Sequence, residues 1–303
     1  MSPNSPAQDG SVLHRCGHVA IVGRPSVGKS TLLNALVGAR ISITSRKPQT
    51  TRHRITGILG EPGIQYVFVD TPGWDTRHPS RLHERLNRAV REALADVDVI
   101  VIVTDAGRFT AEDRAVIAML PPGVPAIVAL NKTDALADKR GLLPRIGEIA
   151  ALRDFAAIVP ISAERGTALP ALKHAIAQQL PAGPALYADD EMTDRDERFL
   201  AAEFIREKIF RQLGDEVPYA TAVMIERFEH EGDLRRIRAT VIVDKAGQRA
   251  ILVGEGGARM KAIASQARAD MEKLFGGRVF LDVWVRVKKG WSDSDAMLTR
   301  LGY

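Results

Sequence analysis

Residues 23–30 read Gly-Arg-Pro-Ser-Val-Gly-Lys-Ser and fit the phosphate-binding pattern G-x-x-x-x-G-K-[ST]. A short apolar run, 18–22, precedes this motif, and a helix-compatible stretch, 31–37, follows it. Strand, loop and helix are the context that such a loop requires. Its glycines let backbone N–H groups converge on a phosphate, and the helix N-terminus adds partial positive charge. The motif therefore predicts an α/β fold that holds a nucleotide.

Three further motifs follow in order, each directly after an apolar run that we interpret as a strand. They are Asp70-Thr71-Pro72-Gly73, Asn131-Lys132-Thr133-Asp134 and Ser162-Ala163. The Asp134 carboxylate can accept hydrogen bonds from N1–H and the 2-amino group of guanine, neither of which adenine offers. Because charge-assisted bonds contribute roughly 1.5–3 kcal/mol each, two of them select guanine strongly. The order of the motifs predicts a guanine nucleotide, magnesium and a hydrolytic reaction.

Each motif supplies candidate residues with a stated role. Lys29 is expected to reach the β- and γ-phosphates, and the Gly73 N–H to meet the γ-phosphate. We predict that magnesium is held by Ser30, Thr51 and Asp70, with Thr50 as the second choice for the threonine, and that Lys29, Thr51 and Gly73 act in hydrolysis. The predicted nucleotide-binding residues are Gly23, Ser26, Val27, Gly28, Lys29, Ser30, Thr31, Asp70, Gly73, Asn131, Lys132, Asp134, Ser162 and Ala163.

The basic stretch 45–54, which contains Thr50 and Thr51, has no apolar period and is expected to be mobile. Its basic residues are interpreted first as a solvated loop and second as a contact for RNA or phosphate.

Composition limits the class of protein. The 303 residues suffice for two domains, and 45% of them are hydrophobic. The single cysteine, Cys16, excludes an intramolecular disulfide framework and suits a reducing cytoplasm. No apolar run approaches the roughly 18 residues of a membrane span. The net charge of +5 is organised by segment, because 185–234 is acidic whereas the chain on either side is basic.

Strand-like and helical stretches alternate up to residue 180 and imply a mostly parallel sheet with helices on both faces. Beyond it, the order helix-strand-strand-helix-helix-strand, with Gly254-Glu255-Gly256-Gly257 between the paired helices, matches a KH module. The predicted fold is an α/β P-loop GTPase domain followed by an α+β type II KH domain. We expect a disordered tail over 1–14, the GTPase domain over 15–180, a linker over 181–197 and the KH domain over 198–303.

A G-x-x-G loop clamps the backbone phosphates of single-stranded nucleic acid, although a bare helix–helix turn is the simpler alternative. The predicted RNA-binding residues are Arg249, Gly254, Glu255, Gly256, Gly257, Arg259 and Lys261.

Together these features resemble the Era family of bacterial Ras-like GTPases with a C-terminal KH domain. The resemblance runs from about His18 to Tyr303 and includes the stretches 41–54, 216–219, 254–257 and 284–289. It implies GTP and GDP with Mg²⁺ as ligands, and GTP hydrolysis coupled to binding of the 3′ end of 16S ribosomal RNA. It also implies a role in assembly of the small (30S) ribosomal subunit, and a monomer in the cytoplasm, partly associated with the inner face of the membrane.

Two positions depart from patterns in related GTPases. Trp74 stands where Ras-like enzymes place a water-orienting glutamine, so we expect slow intrinsic hydrolysis with water positioned by other groups. Ser26 stands where relatives commonly carry an asparagine associated with potassium, so we expect weak potassium dependence.

Two other functions compete with the switch. In the first, the GTPase domain merely stabilises an RNA-binding scaffold; Lys29, Ser30 and Asp134 argue against it. In the second, the chain is a tRNA-modifying or tandem GTPase; the sequence has neither a second P-loop nor a C-terminal cysteine.

Overall fold

A computed structural model of the chain describes residues 14–45, 47, 50–75, 81–214 and 217–302. The first part is a six-stranded sheet in the order β2-β3-β1-β4-β5-β6, parallel except for β2. The mostly parallel sheet predicted from the sequence is confirmed. Its strands are β1 Arg15–Val22, β2 Ile55–Glu61, β3 Ile64–Asp70, β4 Val99–Asp105, β5 Ala126–Asn131 and β6 Ala157–Pro160.

Helices cover both faces of this sheet, as predicted. They are α1 Lys29–Val37, α2 Arg81–Ala95, α3 Ala111–Ala118, α4 Leu142–Ala150 and α5 Leu169–Ala177. Apolar residues of α1 and α5 form the core on one face, and those of α2, α3 and α4 form the core on the other. Since the parallel strands end at one edge, the loops that follow β1, β3, β5 and β6 meet there.

The antiparallel edge strand β2 was not predicted. Two glycines interrupt its apolar pattern, Gly57 and Gly60. Gly57 is required by packing, because a Cβ there would lie 2.6 Å from Cδ1 of Leu33 on α1. Glycine at this position allows α1 to lie close to the sheet, and the sequence pattern does not reveal this contact.

The stretch predicted as a linker runs along the outer edge of the sheet. The buried Gln65 side chain accepts hydrogen bonds from the backbone N–H groups of Leu186 (2.7 Å) and Tyr187 (3.1 Å). Farther on, the Ile58 N–H donates to the carbonyl of Met192 at 2.9 Å. This stretch is therefore fastened to β2 and β3.

The second part is a three-stranded sheet, β7-β8-β9, with β7 antiparallel and β9 parallel to β8. Helices α6 and α8 share one core with this sheet, and a short C-terminal helix, α9, had not been predicted. The elements are α6 Glu197–Gln212, β7 Thr221–Glu231, β8 Leu234–Val243, α7 Ala246–Val253, α8 Ala258–Phe275, β9 Arg278–Val287 and α9 Asp295–Arg300.

The two parts are in contact. Leu82 and Leu86 of α2 share an apolar cluster with Trp291 and with Met297 and Leu298 of α9. Among the described residues, no helix is long and apolar enough to cross a membrane. Several predictions fall on residues outside the described ranges: the tail 1–14 except His14, part of the basic stretch (Arg46, Pro48, Gln49), and Glu216.

Candidate nucleotide and RNA sites

The phosphate loop joins β1 to α1 and has the backbone that its glycines predict. Gly28 has φ 102° and Ser26 has φ 63°, both in the left-handed region. A Cβ at Gly28 would lie 2.4 Å from Nδ2 of Asn131, so glycine is needed for space as well as for conformation. Val27 beside it is fully buried. The loop is thus fixed against the guanine-recognition motif.

Lys29 lies in the mouth of the loop, where its Nζ donates to the carbonyls of Gly23 (3.1 Å) and Arg24 (3.0 Å). Burial lowers the pKa of Lys29 to about 8. A nearby polyphosphate would favour the charged form and oppose this shift. This position is compatible with the prediction that Lys29 reaches the phosphates of a nucleotide.

Three hydroxyl groups converge on the Asp70 carboxylate at the end of β3. Oδ2 accepts hydrogen bonds from Ser30 (2.7 Å), Ser42 (2.9 Å) and Thr51 (3.5 Å), and the Ser30 and Thr51 hydroxyls lie 2.7 Å apart. Burial raises the pKa of Asp70. The structure therefore brings together all three residues predicted to hold magnesium.

This cluster fits a divalent cation. The second carboxylate oxygen of Asp70, Oδ1, is buried and has no hydrogen-bond partner among the described residues. A buried carboxylate oxygen without a partner is costly, and hydroxyl and carboxylate oxygens are the ligands that Mg²⁺ prefers. Ser30, Thr51 and Asp70 would hold the ion, which would supply positive charge to offset the negative charge of the phosphates.

The two candidate threonines are separated by the structure. Thr51 points into the cluster, whereas the Thr50 hydroxyl donates to the carbonyl of Lys47 at 2.7 Å. Thr31 lines the same small cavity of about 50 Å³ as Lys29 and Ser30. The geometry thus favours Thr51 as the residue that would sense the γ-phosphate.

Gly73 packs directly against the phosphate loop. A Cβ at this position would lie 2.8 Å from Cα and 2.9 Å from N of Pro25. The next residue, Trp74, turns its side chain toward the core beneath α2, where the Arg91 guanidinium lies 5.2 Å from the ring centroid. Trp74 therefore contributes packing here, and the expectation that other groups position water stays a prediction.

Asn131 connects three of the four motifs. Its Nδ2 donates to the carbonyl of Val27 at 2.9 Å, and its Oδ1 accepts from the Ala163 N–H at 2.9 Å. Lys132 adds a second connection, because its Nζ donates to the carbonyl of Ser26 (2.8 Å) and pairs with Asp105 (2.9 Å). The base end of the site is thereby built onto the phosphate end.

Asp134 is solvent-exposed at the rim of the site, as base recognition requires. A hydrogen bond from the Ser162 hydroxyl is the main cause that holds the pKa of Asp134 below its usual range, and Arg165 lies 3.7 Å away. The carboxylate is therefore ionised at neutral pH. The Ala163 N–H, predicted to suit guanine O6, has Asn131 as its acceptor in this structure, so a base would have to share it.

The second candidate site is a groove of about 310 Å³ between α7, α8 and β9. Of the predicted RNA-binding residues, Arg249, Gly257 and Lys261 line it. The turn from 254 to 257 has three glycines with positive φ. At Gly254 glycine is also required for space, because a Cβ there would lie 2.8 Å from Cβ of Arg259. The Arg259 guanidinium donates to the carbonyl of Ile251 and so supports the turn. Glu255 is exposed at the tip.

Family models match both parts of the chain. The model described as a 50S ribosome-binding GTPase matches residues 18–132, and that of the KH domain matches residues 216–292. GTPase Era of Nitrosomonas eutropha is 52% identical over 96% of this chain and 98% of its own length. The chain belongs to the Era family of GTPases. GTPase Era of Chromobacterium violaceum is 51% identical over 95% of this chain and 97% of its own.

Solved Era structures share the whole architecture. Era in complex with MgGDPNP and nucleotides 1506–1542 of 16S ribosomal RNA superposes with a TM-score of 0.92 at 36% identity, covering 96% of this chain and 99% of that one. A variant of Aquifex aeolicus Era bound to GDP and AlF4⁻ gives a TM-score of 0.91 at 35% identity, covering 95% and 99%. Like its family, this protein is a GTPase, as predicted.

Several residues of this Era-family site escaped sequence reasoning. The buried Ser42 donates to Asp70, and Asn34 of α1 accepts from the N–H groups of Ile41 and Ser42. Trp284 of β9, 58% exposed, lines the groove between α7, α8 and β9. Ser42 precedes the basic stretch and Trp284 lies in an alternating strand, so only the fold shows where they point.

Proposed function

We propose that this protein is a GTP-driven switch that binds the 3′ end of 16S ribosomal RNA and acts in assembly of the small ribosomal subunit. The observation that carries the proposal is the convergence of Ser30, Thr51 and Asp70. Thr51 belongs to a loop, whereas Ser30 lies at the start of α1 and Asp70 at the end of β3. A loop residue that joins the ligands of Mg²⁺ when a γ-phosphate is present makes that loop sensitive to hydrolysis.

The reaction would use the residues already described. Lys29 and Ser30 would hold the phosphates and the ion, Thr51 would complete the ligands, and the Gly73 N–H would meet the γ-phosphate. Catalysis in such sites rests on positioning and charge stabilisation, since the protein forms no covalent bond with the phosphate. Asp134 would select guanine.

The RNA part of the proposal rests on the groove beside the Gly254–Gly257 turn. Glycines there allow a close approach of a phosphate, Arg249 and Lys261 supply positive charge, and Trp284 offers a ring on which a base can stack. The Era complex with a 16S RNA fragment supports this choice of RNA.

The choice of RNA is tested with two labelled oligonucleotides of equal composition, one copying the 3′ end of 16S RNA and one scrambled. Both are titrated at one salt concentration with a non-hydrolysable GTP analogue present. We expect tighter binding of the 3′-end sequence. Equal affinities would contradict the proposed target.

The organisation and location of the chain are also proposals. We propose a tail over 1–14, a GTPase domain over 15–180, a linker over 181–197 and a KH domain over 198–303; the end of α5 at Ala177 and the start of α6 at Glu197 support the linker. We further propose a monomer in the cytoplasm with peripheral association at the inner membrane face, as the family resemblance implies. Light scattering and flotation with anionic vesicles test the two statements.

A further inference from the structure

The side chain of the residue that follows Thr51 extends out of the GTPase domain and into the KH domain. Arg52 is 2% exposed, and its guanidinium donates to three carbonyls of the KH domain: Thr221 at 2.8 Å, Tyr219 at 2.9 Å and Pro218 at 3.3 Å. The guanidinium also lies 5.7 Å from the centroid of the Phe210 ring of α6. Thr51 therefore faces the cluster that it forms with Ser30 and Asp70, the proposed magnesium site. Arg52, the next residue, faces the interior of the KH domain.

The start of the same loop is held by the KH domain as well. Glu207 of α6 is fully buried, and its carboxylate pairs with Arg40, accepts from the Thr44 N–H at 3.1 Å and pairs with Arg211 at 2.9 Å. The segment from Arg40 to Arg52 is thus anchored near both ends by residues outside the GTPase domain.

These contacts limit where Thr51 can go. Adjacent Cα atoms are about 3.8 Å apart, so Thr51 cannot leave Ser30 by several ångströms without moving Arg52. Withdrawal of the guanidinium would take one donor from each of these carbonyls, although that of Pro218 keeps the Thr221 hydroxyl at 2.8 Å. A buried carbonyl left without any partner costs about 1–3 kcal/mol. The docked KH domain therefore favours the arrangement in which Thr51 lies at the magnesium cluster.

We propose that Arg52 is a positioning residue for GTP binding and hydrolysis, through which the KH domain holds Thr51 at the magnesium site. The inference rests on the proposed role of Thr51 as the γ-phosphate sensor. It assigns to the KH domain a part in the GTPase site itself, besides its contact with RNA. By linkage, occupation of the site by GTP stabilises the docked arrangement to the same extent.

The test is Arg52→Lys in the full chain, because lysine keeps the charge but cannot donate to three carbonyls with a rigid fork. Affinities for a non-hydrolysable GTP analogue and for GDP are measured with Mg²⁺, and Arg54→Lys, an exposed position of the same loop, is the matched control. We expect Arg52→Lys to weaken binding of the GTP analogue about tenfold, equal to about 1.4 kcal/mol, and GDP binding to stay unchanged. A merely structural role would lower both affinities together.

Thr51→Ala distinguishes failure of this inference from failure of the proposed sensor. Loss of preference for the GTP analogue in Thr51→Ala but not in Arg52→Lys would overturn the inference and leave the sensor intact. Unchanged preference in Thr51→Ala would overturn both. Thermal unfolding checks that each variant folds. Glu207→Gln, which loosens the other anchor, is a second variant and should also weaken binding of the GTP analogue selectively. Equal effects on the affinities for both nucleotides would count against the inference.

Discussion

Replacing Gly73 by alanine tests whether the loop after β3 must approach the phosphate loop closely. The new Cβ would lie 2.8 Å from Cα, 2.9 Å from Cγ and 2.9 Å from N of Pro25, and two of these atoms are backbone that cannot rotate away. Contacts this short do not persist, so one loop must retreat. Overpacking of this kind costs about 1–3 kcal/mol, which corresponds to about a five- to 150-fold loss of the closed arrangement.

We expect the closed arrangement to be lost only in the state with GTP bound. Closure of this loop matters when the Gly73 N–H meets a γ-phosphate, so we expect slower single-turnover hydrolysis and weaker binding of a GTP analogue within that range. Affinity for GDP is expected to stay unchanged, since GDP has no γ-phosphate. Stopped-flow measurements with fluorescent nucleotides give the affinities for the GTP analogue and for GDP. Phosphate release from pre-bound GTP gives the rate of single-turnover hydrolysis.

The control is Gly60→Ala, because a Cβ at Gly60 of β2 would meet no heavy atom within 4 Å. A wild-type hydrolysis rate in Gly73→Ala, or equal slowing in both variants, would show that close approach of the two loops is not required.

Three other substitutions and one ion exchange extend the account. Asp134→Asn should weaken GTP by at least about a hundredfold, because two charge-assisted bonds are lost, and should improve binding of xanthosine triphosphate; unchanged guanine preference in competition binding would remove Asp134 from its role. Gly256→Asp places a side chain and a negative charge at a residue with φ 55° and should weaken RNA binding about tenfold with GTP binding intact, as measured by fluorescence anisotropy; equal RNA affinity would point to another surface. Burial that lowers the pKa of Lys29 to about 8 from 10.5 destabilises the nucleotide-free fold at pH 7 by up to about 3 kcal/mol, and this cost is relieved as pH rises from 8 to 10.5. Lys29→Met should therefore unfold at higher denaturant concentration at pH 7 and lose this advantage at pH 10; a wild-type midpoint at pH 7 would contradict that effect. Exchange of sodium for potassium should change the hydrolysis rate little if, as the family resemblance implies, Ser26 stands in place of a potassium-associated asparagine; a large gain in potassium would refute this expectation.

The sequence predicted most of the fold because strands and helices of the GTPase domain carry strong apolar patterns. Strand β2 escaped because Gly57 and Gly60 interrupt its pattern for reasons of packing. Helix α9 is only six residues long and is held by an apolar cluster with α2, which local pattern does not report.

The residues of the candidate site also fall into those that the sequence predicted and those that it did not. Motif residues such as Lys29 and Asp70 were predicted because the chemistry of phosphate and magnesium fixes their type and spacing. Ser42, Arg52 and Glu207 were not, because their importance lies in contacts between segments far apart in the chain. Between Thr50 and Thr51 the structure favours Thr51 by side-chain direction, which a sequence does not give.

A GTP-driven switch requires that the bound nucleotide controls RNA binding. The most direct test measures the affinity of the full chain for a labelled oligonucleotide copying the 3′ end of 16S ribosomal RNA, with GDP, with a non-hydrolysable GTP analogue and without nucleotide. Salt is held fixed because phosphate contacts make affinity salt-dependent. We expect tighter binding with the GTP analogue than with GDP; equal affinity in all three conditions would contradict the switch and favour an RNA-binding scaffold.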